Sequence, residues 1–300
     1  MELNLIVVGL GYMGSIHYHN LQRIKERGYD IKVSVANSYE EFKKALLNKD
    51  IDGCILALPY NLHYSYAMEA LKKGKHVFVE KPISMTYYEA KKLVETAEQM
   101  EKILMAGHIL RFTNTFEIVK ELLNSGKIGK IQVINGRRMT NKNIKNWWKN
   151  LKRFLLLYEG IHSIDIIIYL LNKIPSATQC RLFYSHPEIK GESEFIINMY
   201  FKNQIVASFH HRMNSTYNVN EIYISGSNGE LMIADFSKVF LNGEPIYNNS
   251  FNKEMKEASF KEMLEFVSAI RNNYQPKSSG KDVLESMKII EVCYNLQSLS

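Results

Sequence analysis

Along the first 110 residues, short apolar runs alternate with segments that suit helices. Residues 1–8 (MELNLIVV), 31–35 (IKVSV), 51–58 (IDGCILAL), 76–79 and 103–106 read as strands. Residues 15–27, a segment opening at Ser38, residues 62–73 and a segment from Thr86 to about Met100 read as helices. Ser38 with Glu41, and Thr86 with Glu89, have capping-box spacing, in which two side chains satisfy backbone N–H groups of the first turn. Such alternation predicts a doubly wound parallel sheet with helices on both faces.

After about residue 110 the pattern changes. Residues 116–124 suit a helix closed by Ser125-Gly126, and 131–139 a strand. Residues 140–153 are polar and irregular and carry both tryptophans, and 155–171 (LLLYEGIHSIDIIIYLL) form a strongly apolar helix. From 177 to about 241 the chain is strand-rich, with turn signals at Lys202-Asn203 and Ser227-Asn228-Gly229, which predicts a mostly antiparallel sheet. Apolar residues at 260, 263, 264, 267 and 270 have a helical period, and Ser259 with Glu262 would cap that helix. A last helix covers about 281–298. The expected organisation is a Rossmann-type α/β domain over 1–110 and an α+β domain over 111–300.

Composition narrows the class. Hydrophobic residues make up 46% and charged residues 23% of 300, ordinary for a globular protein. The net charge of +7 is spread without like-charge runs, so it favours an acidic or phosphorylated ligand rather than nucleic acid. Cys54, Cys180 and Cys293 offer neither a disulfide framework nor a metal spacing, and a reduced cytoplasm is expected. No stretch has the ~18 apolar residues of a membrane span. His17 and His19 read as structural. His210 and His211 are neighbours in a strand and point to opposite faces, so no metal site is expected.

The first candidate site follows the first strand at once. Gly9-Leu10-Gly11-Tyr12-Met13-Gly14 is a G-x-G-x-x-G sequence between a strand and a helix. Gly9 allows the tight turn, Gly11 lets a pyrophosphate approach the backbone, and Gly14 lets helix and strand pack closely. The helix N-terminus then offers free N–H groups to the phosphates. The acid expected about 20 residues on, for the ribose hydroxyl, is missing: residues 33–38 read VSVANS, leaving Asn37 and Ser38 as candidates. Neither separates NAD from NADP.

Residues 74–82 (GKHVFVEKP) closely resemble the GKHV-x-x-EKP signature of the Gfo/Idh/MocA oxidoreductases, which include glucose–fructose oxidoreductase and inositol dehydrogenase. Further stretches agree in order along nearly the whole chain. Leu58-Pro59 with Asn61 and His63 is similar to the family's P-x-x-x-H loop, and Gly107-His108 with Arg111-Phe112 to its GH-x-x-RF. Gly160-Ile161-His162 with Asp165 resembles G-x-H-x-x-D, and residues 224–229 (ISGSNG) resemble the late G-x-x-G hairpin. The resemblance implies a Rossmann domain followed by an α+β domain with a large, mostly antiparallel open sheet. It also implies hydride transfer between NAD or NADP and a secondary hydroxyl or ketone of a sugar, cyclitol or nucleotide-sugar. Because such an open sheet needs covering, a homodimer or homotetramer is expected.

On the resemblance, Lys81 reaches the substrate hydroxyl and the nicotinamide side, flanked by Glu80 and Pro82. His162 is the acid/base candidate, titrating near pH ~6.5 when unperturbed. Tyr158 lies one turn earlier on the same helix face. Tyr12 and Met13 join the cofactor loop. His108, Arg111, Trp147 and Trp148 are candidates for the substrate side, or for packing.

Two departures from the family leave alternatives open. Many members have an aspartate four residues before the histidine, preceded by a glycine cluster. Here Tyr158 stands at that position, Glu159 is next, and Lys152-Arg153-Phe154 replace the glycines. One alternative is therefore a non-catalytic or regulatory nucleotide-binding protein. The region after the first helix is also short, as if one strand–helix unit were missing. Biliverdin reductases share that shortening but lack the EKP lysine, which makes a reductase of that type the other alternative.

Overall fold

The computed structural model describes residues 2–141 and 143–297. The chain packs as two compact units, residues 1–112 with 256–284 and residues 113–255 with 285–300.

Among the described residues, the first unit holds a five-stranded parallel sheet in the order β2-β1-β3-β4-β5. Its elements are β1 (Leu3–Val8), α1 (Tyr12–Glu26), β2 (Ile31–Ala36), α2 (Tyr39–Leu47), β3 (Gly53–Leu56), α3 (His63–Lys72), β4 (His76–Glu80), α4 (Tyr87–Gln99) and β5 (Leu104–Gly107). The connection from β1 to β2 runs one way and the connection from β2 to β3 runs back. Right-handed crossovers therefore put α1 on one face and α2, α3 and α4 on the other. The expected doubly wound parallel sheet is present. α1 begins at Tyr12, three residues before the expected Ser15, so the glycine loop leads directly into its first turn.

The full capping box expected at Thr86 is present, while at Ser38 only its side-chain half forms. Thr86 Oγ1 accepts from the Glu89 N–H at 3.2 Å, and Glu89 Oε2 accepts from the Thr86 N–H at 3.2 Å. Ser38 Oγ accepts from the Glu41 N–H at 3.2 Å. The return bond there goes one residue further back, from the Asn37 N–H to Glu41 Oε2 at 2.6 Å.

The expected cap at Ser259 is corrected by the structure. Helix α7 runs over Phe251–Asn272, so Ser259 and Glu262 lie inside it. Ser259 is buried, its hydroxyl donating to the Lys256 carbonyl at 3.1 Å and accepting from Asn20 Nδ2 at 3.1 Å. A serine bonded back to its own helix is tolerated mid-helix. Phe260, Met263, Phe266 and Val267 on α7 join Leu5, Val7, Leu21, Ile24 and Phe78 in one core, on the α1 side of the sheet. Full burial of residues such as Met263 and Phe266 stabilises by roughly 1.5–3 kcal/mol each. This is why 256–284 packs with the first unit, although it follows the second unit's strands in sequence. The far edge of the sheet is closed by Ser278, whose carbonyl accepts from the Ala106 N–H at 2.9 Å and whose hydroxyl donates to the Ala106 carbonyl at 2.8 Å.

The second unit is built on an eight-stranded sheet. Its strands are β6 (Ile131–Asn141), β7 (Ala177–Phe183), β8 (Glu194–Tyr200), β9 (Val206–Arg212), β10 (Asn214–Gly226), β11 (Glu230–Ala234), β12 (Lys238–Leu241) and β13 (Glu244–Asn248). Their order is β13-β12-β11-β10-β6-β9-β8-β7, antiparallel except for β6 with β9. The mostly antiparallel sheet is thus present. The unit also contains α5 (Asn114–Asn124), α6 (Ile161–Leu171) and the end of α8 (Gly280–Gln297). Two cysteines distant in sequence meet here: the hydrogen bond to Cys180, then burial, push the Cys293 thiol up.

His76 gives this fold an acid-sensitive point. Its Nδ1 accepts from the Ile103 N–H at 3.0 Å, so the ring must stay neutral. Burial, then the nearby Lys102 charge, lower its pKa from 6.5 to about 4. The unfolded chain takes up this proton near pH 6.5 and the folded chain does not. Stability is therefore complete above pH 6.5 and is lost as pH falls towards 4, by on the order of 2 kcal/mol. In urea unfolding at a series of pH values, His76→Gln is expected to flatten that part of the stability curve.

Candidate active site

The glycine loop is tightly packed at Gly9 and Gly14 and open at Gly11. Gly9 has φ +86°, and a Cβ there would lie 2.9 Å from the Ala57 carbonyl oxygen. A Cβ on Gly14 would lie 1.8 Å from the Gly9 carbonyl oxygen, so α1 is pressed against the loop as no other residue would permit. At Gly11 a Cβ would meet nothing within 4 Å. The open space a phosphate needs is therefore at the middle glycine. Gly11 is also the N-cap of α1, with no side chain capping the helix and no acid in its first turn. Its N–H groups and the positive end of the macrodipole are left for an anion. Tyr12 is 83% exposed, and Met13 is half-buried beside it.

The winding of the sheet reverses between β1 and β3, and open α/β sheets bind ligands outside the carboxyl ends of strands at such a point. The loops there carry the remaining cofactor candidates. Leu58 is half-buried, and Pro59 and Asn61 are exposed just past β3. His63 is buried, with Nδ1 2.7 Å from the Pro82 carbonyl and Nε2 2.9 Å from the Leu58 carbonyl. Burial lowers its pKa against the pull of both carbonyls. It fastens the β3 loop to the β4 loop and presents neither nitrogen outward.

Past β4, Lys81 is half-buried and Pro82 buried. Glu80 is buried beneath them, with Oε1 2.7 Å from His17 Nε2 and Oε2 accepting from the Lys81 N–H at 3.2 Å. Burial pushes the Glu80 carboxyl up, but the bond and charge of His17, then Lys81 and His63, outweigh it and leave the pKa low. Glu80 thus holds the chain at Lys81 from below. His17, expected to be structural, thus has its partner 63 residues away in sequence.

Residues 33–38, the candidate ribose end, contain no acid. Asn37 and Ser38 follow β2 directly and are exposed, and the nearby Glu41 carboxylate is turned onto the Asn37 N–H. β2 is the edge strand. Dinucleotide folds of six-strand order have one more strand beyond it, and none is present among the described residues.

In the second unit, residues 156–160 form a π-helical turn (Leu156–Gly160) that widens the entry to α6. Such turns often occur at functional sites. Glu192 anchors the approach, its carboxylate accepting from the N–H groups of Phe154 at 3.1 Å and Leu156 at 2.9 Å and from the Tyr294 hydroxyl at 2.6 Å. Across 154–171 only Tyr158, His162 and Tyr169 are partly accessible, so Tyr158 and His162 do share a face. Glu159 is buried and paired with Arg138 at 2.6 Å, which removes it as a stand-in for the missing aspartate. Asp165 is buried and accepts from the Ser286 hydroxyl at 3.3 Å. Trp148 is buried against Phe154 and Tyr158, whereas Trp147 is 43% exposed with its ring 5.9 Å from Tyr158.

In the first unit, His108 and Arg111 are both buried, and Arg111 donates to the Lys277 carbonyl at 2.6 Å. His210 pairs with Glu194 at 2.6 Å while His211 meets the Ser163 hydroxyl at 3.0 Å, on the opposite face. Among the described residues no three His, Cys, Asp or Glu side chains are grouped to hold a metal. Nor is any helix long and apolar enough to cross a membrane.

A five-stranded parallel sheet with an open glycine loop after β1 and a lysine just past β4 points to the class. The chain belongs to the Gfo/Idh/MocA oxidoreductases, matching "Oxidoreductase family, NAD-binding Rossmann fold" over residues 3–108 and "Oxidoreductase family, C-terminal alpha/beta domain" over 120–298. It is 29% identical to 2,7-anhydro-N-acetylneuraminate hydratase of Escherichia coli (strain K12), over 77% of this chain and 67% of that one. It is 22% identical to myo-inositol 2-dehydrogenase of Thermotoga maritima, over 92% of this chain and 90% of that one. Levoglucosan dehydrogenase, solved with NADH and levoglucosan, has the same fold, with a TM-score of 0.84 at 18% identity over 100% of this chain and 98% of that one.

The two glycines separate folding from binding. Gly11→Ala enters open space and is expected to leave the melting temperature nearly unchanged while weakening NADH at least about tenfold, roughly 1.4 kcal/mol. Gly14→Ala is expected to lower both the melting temperature and NADH affinity. Thermal melts alongside NADH titrations of the two variants check this.

Proposed function

We propose that this protein transfers a hydride between a nicotinamide coenzyme and a secondary hydroxyl or ketone of a sugar, cyclitol or nucleotide-sugar. The observation that carries the reading is Lys81, partly accessible just past β4 and held from below by Glu80, two strands along from the open phosphate cradle. When bound, the nicotinamide accepts or donates the hydride. The Lys81 ammonium stabilises the negative charge that develops on the substrate oxygen. His162, with Tyr158, exchanges the hydroxyl proton, since both are partly accessible in a largely buried segment. Relatives that act on inositol, levoglucosan and 2,7-anhydro-N-acetylneuraminate support a polyhydroxylated ring as substrate.

Assembly as a homodimer or homotetramer belongs to the same proposal. Val133, Ile196 and Tyr223 remain 37–43% exposed on strands β6, β8 and β10.

The test starts with separate NADH and NADPH titrations followed by nicotinamide fluorescence. A panel of polyols, sugars, nucleotide-sugars and anhydro-sugars then follows with the coenzyme that binds. Both nicotinamide absorbance and product formation are read, because hydration of a sugar leaves the nicotinamide unchanged overall. Lys81→Ala is expected to cut turnover by about 10²-fold or more with coenzyme affinity nearly intact. Undiminished turnover in that variant would remove the lysine from the mechanism. Coenzyme binding without turnover of any panel member, or of a linear tetrapyrrole, would favour a regulatory nucleotide-binding role.

A further inference from the structure

Buried polar groups without partners cluster behind Lys81. Among the described residues, Nδ1 of His17 and both carboxyl oxygens of Glu262 are buried with no hydrogen bond. These atoms belong to one neighbourhood. Helices α1 and α7 touch where Asn20 Nδ2 donates to Ser259 Oγ at 3.1 Å. His17 lies one turn before Asn20, and Glu262 one turn after Ser259. Phe78 packs edge-on to His17, with ring centroids 5.0 Å apart, and to Phe266, one turn beyond Glu262, at 5.8 Å. The other ring nitrogen of His17 is already on Glu80, and the Glu80 charge is felt at Glu262.

Two carboxyls in one buried space cannot both be ionised cheaply. The titratable groups acting on Glu80 are His17 from α1, His63 from α3 and Lys81 from its own loop, and together they keep it an anion. Burial, then the Glu80 charge, hold the Glu262 carboxyl well above the usual carboxylate range. A neutral acid is a hydrogen-bond donor, and the orphaned Nδ1 of His17 is an acceptor in the same buried neighbourhood.

We propose that Glu262 is a positioning residue: a protonated carboxylic acid that shares its proton with Nδ1 of His17 through one buried water. It thereby completes a Glu262–His17–Glu80 unit that fixes the chain at Lys81. The unit keeps one net negative charge wherever the shared proton sits. With the proton on Glu262, His17 is neutral and Glu80 is the anion. With the proton on His17, the imidazolium stands between two carboxylates. Loss of the shared proton at alkaline pH adds a second negative charge beside Glu80 and loosens its hold on the Lys81 N–H. The link to turnover rests on the reading of Lys81 as the group that meets substrate; the protonation of Glu262 does not.

The test compares parent, Glu262→Gln and His17→Gln as the NADH-bound protein. At pH ~7 the infrared difference spectrum of parent minus Glu262→Gln is expected to show the C=O band of a protonated carboxylic acid. His17→Gln is expected to shift that band, because it removes the proton's partner. In turnover, Glu262→Gln stays neutral at every pH, so its rate relative to parent is expected to rise at least about threefold between pH ~7 and pH ~10. A flat ratio would overturn the positioning role, as would Glu262→Gln that binds NADH yet is inactive at every pH. Absence of the protonated-carboxyl band, or a band indifferent to His17→Gln, would overturn the shared proton. Full activity of Lys81→Ala would instead sink the reading of the lysine and leave the infrared result standing.

Discussion

The closeness of Gly14 to the Gly9 carbonyl is the contact on which the proposed coenzyme site depends. With only 1.8 Å between that oxygen and the place of a Cβ, any side chain would push α1 off the end of β1. The approach sets where the first turn of the helix begins, and so where its unsatisfied N–H groups point. It also sets the reach of His17, one turn along α1, to Glu80 at the end of β4. One backbone contact therefore aligns the phosphate cradle and the support beneath Lys81.

That support shows how charge is arranged in the first unit. An anionic Glu80 is retained in a buried place because His17, His63 and Lys81 surround it, and because Gly107 leaves it room, a Cβ there lying 3.1 Å from its Oε2. At the neighbouring Glu262, burial and then the Glu80 charge instead push the carboxyl well above the usual carboxylate range. The contrast follows from partners rather than from residue type, since burial alone pushes both carboxyls the same way.

Much of this was legible in the sequence because it is local. The glycine loop, the caps at Ser38 and Thr86, and the strand ahead of Lys81 are each defined within about ten residues. The lack of an acid after β2 was equally plain, and in the structure β2 is the sheet edge. What escaped was non-local or ambiguous. The Ser259–Glu262 spacing matches a capping box, yet inside α7 Ser259 bonds to Asn20 and Glu262 is buried without a hydrogen bond. The apolar stripe of α7 announces a buried helix without saying what buries it. The π-helical turn at Leu156–Gly160 has no signal in an apolar run. His17 looked structural, and its partner is visible only once β4 lies beside α1.

The most direct test of the account is a crystal structure with NADH. The pyrophosphate is expected on the N–H groups following Gly11, with the nicotinamide ring beside Lys81 and the adenosine ribose near Asn37 and Ser38. A coenzyme bound away from the Gly9–Gly14 loop, or a nicotinamide out of reach of Lys81, would contradict it.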